Sequence, residues 1–272
     1  MEGASRMTAF GASILVLAPH PDDEVVACAA AIGQARAAGA KVALIFLTHG
    51  CIEAAAMWPW ARHRYGAAVA RRRAEGESAA AELGVAIAGQ AERPARHLWR
   101  ELPAAEAEVR AAMAAHHVDQ LWVPAYEGGN PDHDGANALA ARLAGEGVSV
   151  LEFAEYNLAR GRARSHAFPD PNGQETVLAL SPDEQAAKRR LIGLYASEAA
   201  NLNYVRVERE TFRPLAAYDY ARPPHPGKLW YARFQWAPFR QPRVDYTRPA
   251  DVTAAIAAYA GAAPGPSPLI LA

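Results

Sequence analysis

The sequence predicts an α/β fold in which helices cover both faces of a mostly parallel sheet. Two apolar runs rich in β-branched residues, Ser13–Ala18 and 42–47, flank an alanine-rich stretch of helical length, which is the order of a β-α-β unit. Further strand-like runs at Gln120–Pro124 and Ser149–Phe153 also alternate with helical segments, and this alternation indicates a parallel sheet. The chain has 272 residues, of which 51% are hydrophobic, enough for one large core.

The helices are predicted from apolar spacing and from residues that begin or end helices. After the first strand, Val25, Cys28 and Ile32 share one helix face, which we expect to pack on the sheet, and Gly39 stands where this helix stops. The other predicted helices cover 67–83, 104–116 and 134–144, together with one that follows the capping box SPDE at 181–184 and turns Ala187, Leu191 and Leu194 inward.

The end of the chain differs in composition from the rest. Residues 213–249 are dense in proline and aromatic side chains, among them Tyr218, Tyr220, Trp230, Tyr231 and Trp236. We therefore predict a core of residues 1–212 and a small, irregular, β-rich C-terminal extension of residues 213–272 packed on it.

Composition excludes several classes of function. The formal net charge is −1 and the only dense basic run is 71–73, so we expect a small-molecule substrate and no nucleic-acid partner. The two cysteines, Cys28 and Cys51, suit the reducing cytoplasm. No run approaches the roughly 18 to 20 apolar residues of a membrane span. The sequence leaves the oligomeric state open, a homo-oligomer included.

Two polar loops follow predicted strands, LAPHPDDE at 17–24 and EGGNPDHD at 127–134. In open α/β sheets, ligands bind beyond the carboxyl ends of strands, so both loops belong at a binding site. His20, Asp23 and His133 make a set of two histidines and one carboxylate that suits a zinc-type ion, and Asp22 is then free to act on the bound water. The alternative interpretation is a pair of capped helix starts with no metal.

These two loops resemble the signature motifs of the zinc-dependent N-acetylglucosaminyl deacetylases, the PIG-L or LmbE-like family. APHPDDE at 18–24 matches the first motif, and NPDH at 130–133 matches the second in three of four positions. The resemblance implies a Rossmann-like fold, zinc (Zn²⁺) held by His20, Asp23 and His133, and Asp22 as general base. It also implies hydrolysis of an N-acetyl or short N-acyl group of an amino sugar or related metabolite, with a metal-bound water as nucleophile.

The chain departs from the family pattern at two positions that bear on catalysis. Asn130 stands where the family has a histidine thought to stabilise the oxyanion, and an amide brings no positive charge. His49 stands where the family has an acidic residue after the second strand. We hypothesise that His49 replaces the missing imidazole. Asp132, which tunes that histidine in the family, is left without its usual partner.

Two further residues are candidates for contact with the substrate. Arg72 lies within a basic helix face and can reach either the substrate or an active-site carboxylate, and Tyr126 precedes the second loop, where it either touches substrate or packs. Alternatives to the deacetylase are an amidase of a thiol conjugate or other natural product, and a metal-binding protein without turnover. A nucleotide-binding domain is disfavoured because no glycine-rich fingerprint follows the first strand.

Overall fold

The computed structural model describes residues 10–203, 205–233 and 246–262. Its helices are α1 (Asp23–Ala37), α2 (Tyr65–Leu83), α3 (Leu102–His116), α4 (Pro131–Gly145), α5 (Pro182–Leu194) and α6 (Pro249–Gly261). Its strands are β1 (Ser13–Ala18), β2 (Lys41–Phe46), β3 (Ala86–Gln90), β4 (Gln120–Pro124), β5 (Ser149–Phe153), β6 (Tyr156–Asn157), β7 (Arg164–Ser165), β8 (Thr176–Ala179) and β9 (Arg209–Pro214).

Seven of the described strands form one sheet in the order β3-β2-β1-β4-β5-β9-β8. The first five are parallel to one another, and β9 and β8 add to the edge in antiparallel orientation. The chain winds outward from β1 to β3 and then returns to place β4 on the other side of β1. The ends of β1 and β4 are therefore neighbours, at the point where an open sheet forms a crevice.

Two buried clusters lie on opposite faces of the sheet, as the sequence predicts. Alternate residues of β1 separate to the two sides, because successive side chains of a strand point to opposite faces. Ile14 and Val16 pack with α1, α2 and α5, whereas Leu15 and Leu17 pack with α3, α4 and α6. The predicted inward face of α1 is fully buried at Val25, Cys28 and Ile32. The α/β class with a mostly parallel sheet is confirmed.

The strands that the sequence did not predict are short or polar. β3, with the sequence AIAGQ, is partly exposed and contains a glycine, which weakens its strand pattern. β9, with the sequence RETFRP, is charged at three of its six positions, yet Glu210 and Arg213 are both buried. A charged segment of this kind forms a buried strand only when its charges are paired.

Glu210 is paired with Lys188 across the α1 face of the sheet. The Nζ atom of Lys188 donates to Oε1 of Glu210 at 2.8 Å, and both side chains are fully buried. The same carboxylate accepts the backbone N–H groups of Ala30 and Ala31 in α1. Beside Lys188, the predicted inward residue Leu191 of α5 is buried, whereas Ala187 and Leu194 are partly buried.

Beyond β9, the described residues of the predicted C-terminal extension form no strand. They hold a 3-10 turn at Trp230–Ala232 and the helix α6, whereas the small antiparallel ribbon, β6 with β7, lies earlier in the chain. We expected irregular strands there because aromatic residues favour strands. In the described residues, the aromatic side chains instead extend from loops and pack on the core. Trp236 lies outside the described residues. The predicted boundary after residue 212 falls within β9.

Segment 218–233 packs on the core through tyrosine hydroxyls. Tyr220 donates to Oδ1 of Asn137 and Tyr231 donates to Oδ2 of Asp134, both in α4. Among the described helices, none combines the length and the apolar character that a membrane crossing requires.

Candidate metal centre and active site

The three predicted metal ligands converge at the ends of β1 and β4. Nδ1 of His20 lies 3.3 Å from Oδ2 of Asp23, and Nε2 of His133 lies 3.3 Å from Oδ1 of Asp23 and from Nδ1 of His20. One donor atom from each residue falls within 4.8 Å of the others, and all three residues are buried. A loop, the first residue of α1 and the first turn of α4 thus supply a donor set of the kind that holds a divalent metal with positions left for water.

Asp132 orients one of these donors. Its Oδ2 accepts a hydrogen bond from Nε2 of His20 at 3.0 Å, and the backbone N–H groups of Arg96 and Leu98 hold the carboxylate in place. When the ring is neutral, this hydrogen bond keeps the proton on Nε2, and the lone pair on Nδ1 then faces Asp23 and His133. A carboxylate behind a histidine in this way fixes the tautomer that a metal needs. Asp132 therefore has a role that does not require the histidine absent at position 130.

The charges around this cluster favour a cation. Burial alone would lower the pKa of His20, but Asp23 and Asp132 outweigh it and raise the pKa to about 10. For Asp23, burial is opposed by His133 and His20, which hold its pKa well below the ordinary value. Carboxylates that hold a proton on His20 in this way favour positive charge at the site, and a divalent ion that takes the place of the proton suits it.

Asp22 is held apart from the three donors by its backbone. Its φ of 136° lies in a region that few residues other than glycine adopt, and its N–H donates to Oε2 of Glu24 at 3.0 Å. Its Oδ2 accepts a hydrogen bond from Nη2 of Arg72 at 2.7 Å. Burial raises the pKa of Asp22, Arg72 opposes that rise, and Asp23 adds to it. Asp22 is thus a carboxylate beside the cluster, fixed through one oxygen.

The segment that holds this site is similar to a known protein family. Residues 15–144 match the model of the PIG-L family, described as GlcNAc-PI de-N-acetylase. The matched segment contains both loops and all three donor residues. This segment, just under half of the chain, is therefore similar to the PIG-L family. No curated protein matches the chain in sequence.

Solved deacetylase structures share the fold. A deacetylase of the teicoplanin biosynthesis pathway is 19% identical, with 76% of this chain and 99% of that chain covered and a TM-score of 0.60. The A40926 pseudoaglycone deacetylase Dbv21 gives the same identity and coverage and a TM-score of 0.59. The N,N'-diacetylchitobiose deacetylase from Pyrococcus horikoshii is 18% identical, with 78% and 84% covered and a TM-score of 0.50. At these identities the likeness shows the LmbE-like fold.

Arg72, predicted to reach either the substrate or an active-site carboxylate, lies against the carboxylate of Asp22. Its side chain is 3% exposed, and its Nη1 lies 3.0 Å from Oε1 of Glu198. The guanidinium also lies over the ring of Tyr195. The neighbouring side chain of Arg71 is 57% exposed. The rotation of α2 about its axis therefore turns Arg72, the middle arginine of the run 71–73, toward Asp22.

Asn130, at the position of the family's histidine, caps helix α4. Its Oδ1 accepts the backbone N–H of Asp132 at 3.0 Å, and its side chain also bonds to the hydroxyl of Tyr156. An asparagine is among the best residues for this cap position. The structure therefore gives Asn130 a structural role next to His133.

His49 makes contacts on another side of the loop. Its Nδ1 accepts the backbone N–H of Cys51 at 3.2 Å, and its Nε2 lies 3.0 Å from the hydroxyl of Tyr65. Burial lowers its pKa. Both ring nitrogens are thus used by an imidazole that stays neutral, and no described contact joins it to Asn130.

Tyr126 is packed rather than open to a ligand. It is 2% exposed, and its hydroxyl donates to the carbonyl oxygen of Arg222 at 2.7 Å. Its ring packs edge-on against Tyr218 and Tyr220. Of the two predicted alternatives for Tyr126, the packed one describes its contacts.

The sequence did not single out several residues that surround the donors. The ring of Tyr156 packs edge-on against His133, with centroids 5.7 Å apart, and Trp230 packs on Tyr156. On the far side of His133, Nδ1 lies 3.7 Å from Oε2 of Glu155, which is buried just after β5. These residues follow no motif, because they come from a short ribbon, a strand end and the C-terminal segment.

Proposed function

We propose that this protein is a zinc-dependent hydrolase that removes an N-acetyl or other short N-acyl group from an amino sugar or a related small metabolite. The observation that carries the proposal is the convergence of His20, Asp23 and His133 beside Asp22, a carboxylate that is not one of the three donors. The match of residues 15–144 to the PIG-L family model supports hydrolysis of an N-acyl bond. The solved deacetylases of the same fold support the acetyl group.

The residues present fit a divalent metal. His20 presents Nδ1, His133 presents Nε2, and Asp23 presents its carboxylate, all within reach of one ion. When bound, zinc supplies a water of lowered pKa, about 7, and polarises the acyl carbonyl. One solved relative is a zinc-inhibited form of the teicoplanin deacetylase Orf2, so the metal that supports turnover has to be measured for this chain as well.

Asp22 is the general base in this proposal. Its Oδ2 is held by Arg72, which leaves Oδ1 without a hydrogen-bond partner among the described residues. Oδ1 takes the proton of the attacking water as the new carbon–oxygen bond forms. The same proton then passes to the amide nitrogen as the carbon–nitrogen bond breaks, so that the products are a free amine and acetate.

The experiment combines metal analysis with measurement of acetate release. We expect about one zinc per chain in the purified protein, loss of the metal in His20→Ala and His133→Ala, and acetate release from a panel of N-acetyl amino sugars. Asp22→Asn keeps the metal and lowers turnover by about 10²- to 10⁴-fold, the usual contribution of a general base. The exposed Asp183→Asn variant is the control for loss of a carboxylate.

Three outcomes would replace the proposal. Bound metal without release from a broad panel of acyl amines indicates a metal-binding protein without turnover. Release only from thiol conjugates or larger natural products indicates the amidase alternative. Full turnover in Asp22→Asn removes Asp22 from its role as base.

A further inference from the structure

A cavity lined by arginines opens beside the ribbon formed by β6 and β7. Its volume is about 640 Å³, and its lining includes Arg162, Arg164, Arg206 and Arg209 with one acidic residue, Glu208. These charges come from two segments, RGRAR at 160–164 and RVER at 206–209. Four arginines and one glutamate bring three net positive charges to one concave surface, although the whole chain carries a net charge of −1.

Among the described residues, the arginines of this cavity form no internal ion pairs. Within the described part of the chain, none of the four guanidinium groups has a carboxylate partner or a hydrogen bond. Elsewhere, Arg93 and Arg110 each contact two carboxylates. An unpaired cluster of like charges is unfavourable, and an anion from outside would stabilise it.

Two buried polar atoms of β7 lie at this cavity without a partner. Nη1 of Arg164 and Oγ of Ser165 are both buried, and neither has a hydrogen-bond partner among the described residues. Burial lowers the pKa of Arg164, and Arg160, Arg162 and Arg209 add to the effect. Buried donors are normally satisfied, so these two groups lack an acceptor.

We propose that this cavity binds the phosphate group of a small metabolite, as a phosphate monoester or a pyrophosphate. Planar guanidinium groups match the oxygens of phosphate through paired hydrogen bonds, and two to three negative charges match the net charge of the lining. The volume lies within the range of about 300–1,000 Å³ that is usual for small-molecule pockets. A polynucleotide or a lipid surface would instead favour a long or flat basic patch.

The proposal is independent of the metal centre. The metal donors lie among carboxylates that favour a cation, whereas the arginine cavity favours an anion. The two sites lie on one ribbon, because Ser165 of β7 pairs with Tyr156 of β6, whose ring packs on His133. Phosphate also binds metal ions, so the experiment has to separate the two sites.

Isothermal titration calorimetry of the full chain with sodium phosphate and sodium pyrophosphate tests the proposal. We expect saturable binding, tighter for pyrophosphate, that weakens on the order of tenfold or more in Arg206→Gln/Arg209→Gln, because charge-assisted hydrogen bonds are lost. Arg164→Gln weakens binding as well. The matched control Arg248→Gln, which removes a charge exposed elsewhere on the chain, leaves binding unchanged. Thermal unfolding of each variant shows whether it is folded.

Further variants and ligands separate this cavity from the metal centre and from a macromolecular partner. Binding retained in His20→Ala and His133→Ala supports the arginine cavity, whereas binding lost in these variants and retained in Arg206→Gln/Arg209→Gln places the anion at the metal centre and overturns the proposal. Absence of saturable binding to either anion overturns it too. So does binding to single-stranded DNA or to vesicles with phosphatidic acid when pyrophosphate does not bind.

Discussion

The guanidinium of Arg72 donates a hydrogen bond to the carboxylate of Asp22 at 2.7 Å, from a helix that begins more than forty residues later in the chain. Glu198 holds the other end of the guanidinium, so Arg72 links the first metal-site loop to the segment after α5. Since one oxygen of Asp22 is fixed in this way, the orientation of the other is set as well. Arg72 is therefore a positioning residue for the proposed base.

Arg72→Gln tests this positioning. We expect kcat to fall on the order of 10- to 100-fold with little change in KM or in metal content, because the base is misplaced while the donors remain. Loss of one partner of a buried ion pair also lowers the free energy of unfolding by about 3–5 kcal/mol. Steady-state kinetics and denaturant unfolding measure both effects. Arg71→Gln, the exposed neighbour, is the control, and a rise in KM alone would assign Arg72 to substrate binding instead.

Substitution of Asp132, the carboxylate behind His20, should lower the affinity for the metal. Asp132→Asn keeps one oxygen, which can still accept from Nε2 of His20 and the N–H of Arg96, but it replaces the oxygen that accepts the N–H of Leu98 and removes the negative charge behind His20. Outer carboxylates of this kind change metal affinity by about 10- to 100-fold. Competition with a chelator of known affinity measures the change, with Asp183→Asn as control. An unchanged zinc affinity would mean that the His20 tautomer is set by something other than Asp132.

The sequence predicted the three donors because they lie in the two polar loops that follow β1 and β4 and at the helix starts after them. β1, β4 and β5 have the bounds that their apolar runs predict, and parallel strands bring their carboxyl ends to one edge, so His20, Asp23 and His133 had to approach one another. The contact between Asp132 and His20 could not be predicted in the same way. It depends on the rotation of α4 about its axis, which loop sequences do not specify.

Contacts between distant segments account for most of what the sequence did not predict. Arg72 was placed on a basic helix face, but its partners come from a different loop and from beyond α5. Glu210 and Lys188 come from β9 and α5, and their pairing depends on how α5 packs on the sheet. The arginine cavity combines RGRAR with RVER, two runs that are separated by more than forty residues. Neither run alone has three consecutive arginines, as 71–73 has, so the sequence did not reveal the basic cluster.

His49→Ala tests the hypothesis that His49 replaces the imidazole absent at position 130. The ring is neutral and bonded to the Cys51 N–H and to Tyr65, so we expect the pH profile of turnover to keep its shape. The free energy of unfolding falls by about 1–3 kcal/mol, because the N–H of Cys51 loses its acceptor. The exposed His63→Ala variant is the control. Loss of one limb of the pH profile in His49→Ala alone would restore the hypothesis.

The buried carboxyl group of Glu127 should make the free energy of unfolding depend on pH. The carboxylate is fully buried and accepts the N–H groups of Glu155 and Tyr156 and the side-chain amide of Asn157. Burial raises its pKa to about 7. Between the ordinary pKa of about 4.5 and about 7, the unfolded chain loses this proton and the folded chain keeps it, so stability falls as the pH rises.

Glu127→Gln removes this titration and keeps an oxygen acceptor. We expect the free energy of unfolding of the wild type to fall, relative to that of the variant, on the order of 3 kcal/mol between pH 4.5 and 8. The difference appears mainly below pH 7 and then levels off, because above the folded-state pKa both states have lost the proton. Urea unfolding at a series of pH values measures it, with the exposed Glu77→Gln as control. Parallel curves for wild type and Glu127→Gln would show that Glu127 is ionised in the folded protein throughout, stabilised by the three N–H donors around it.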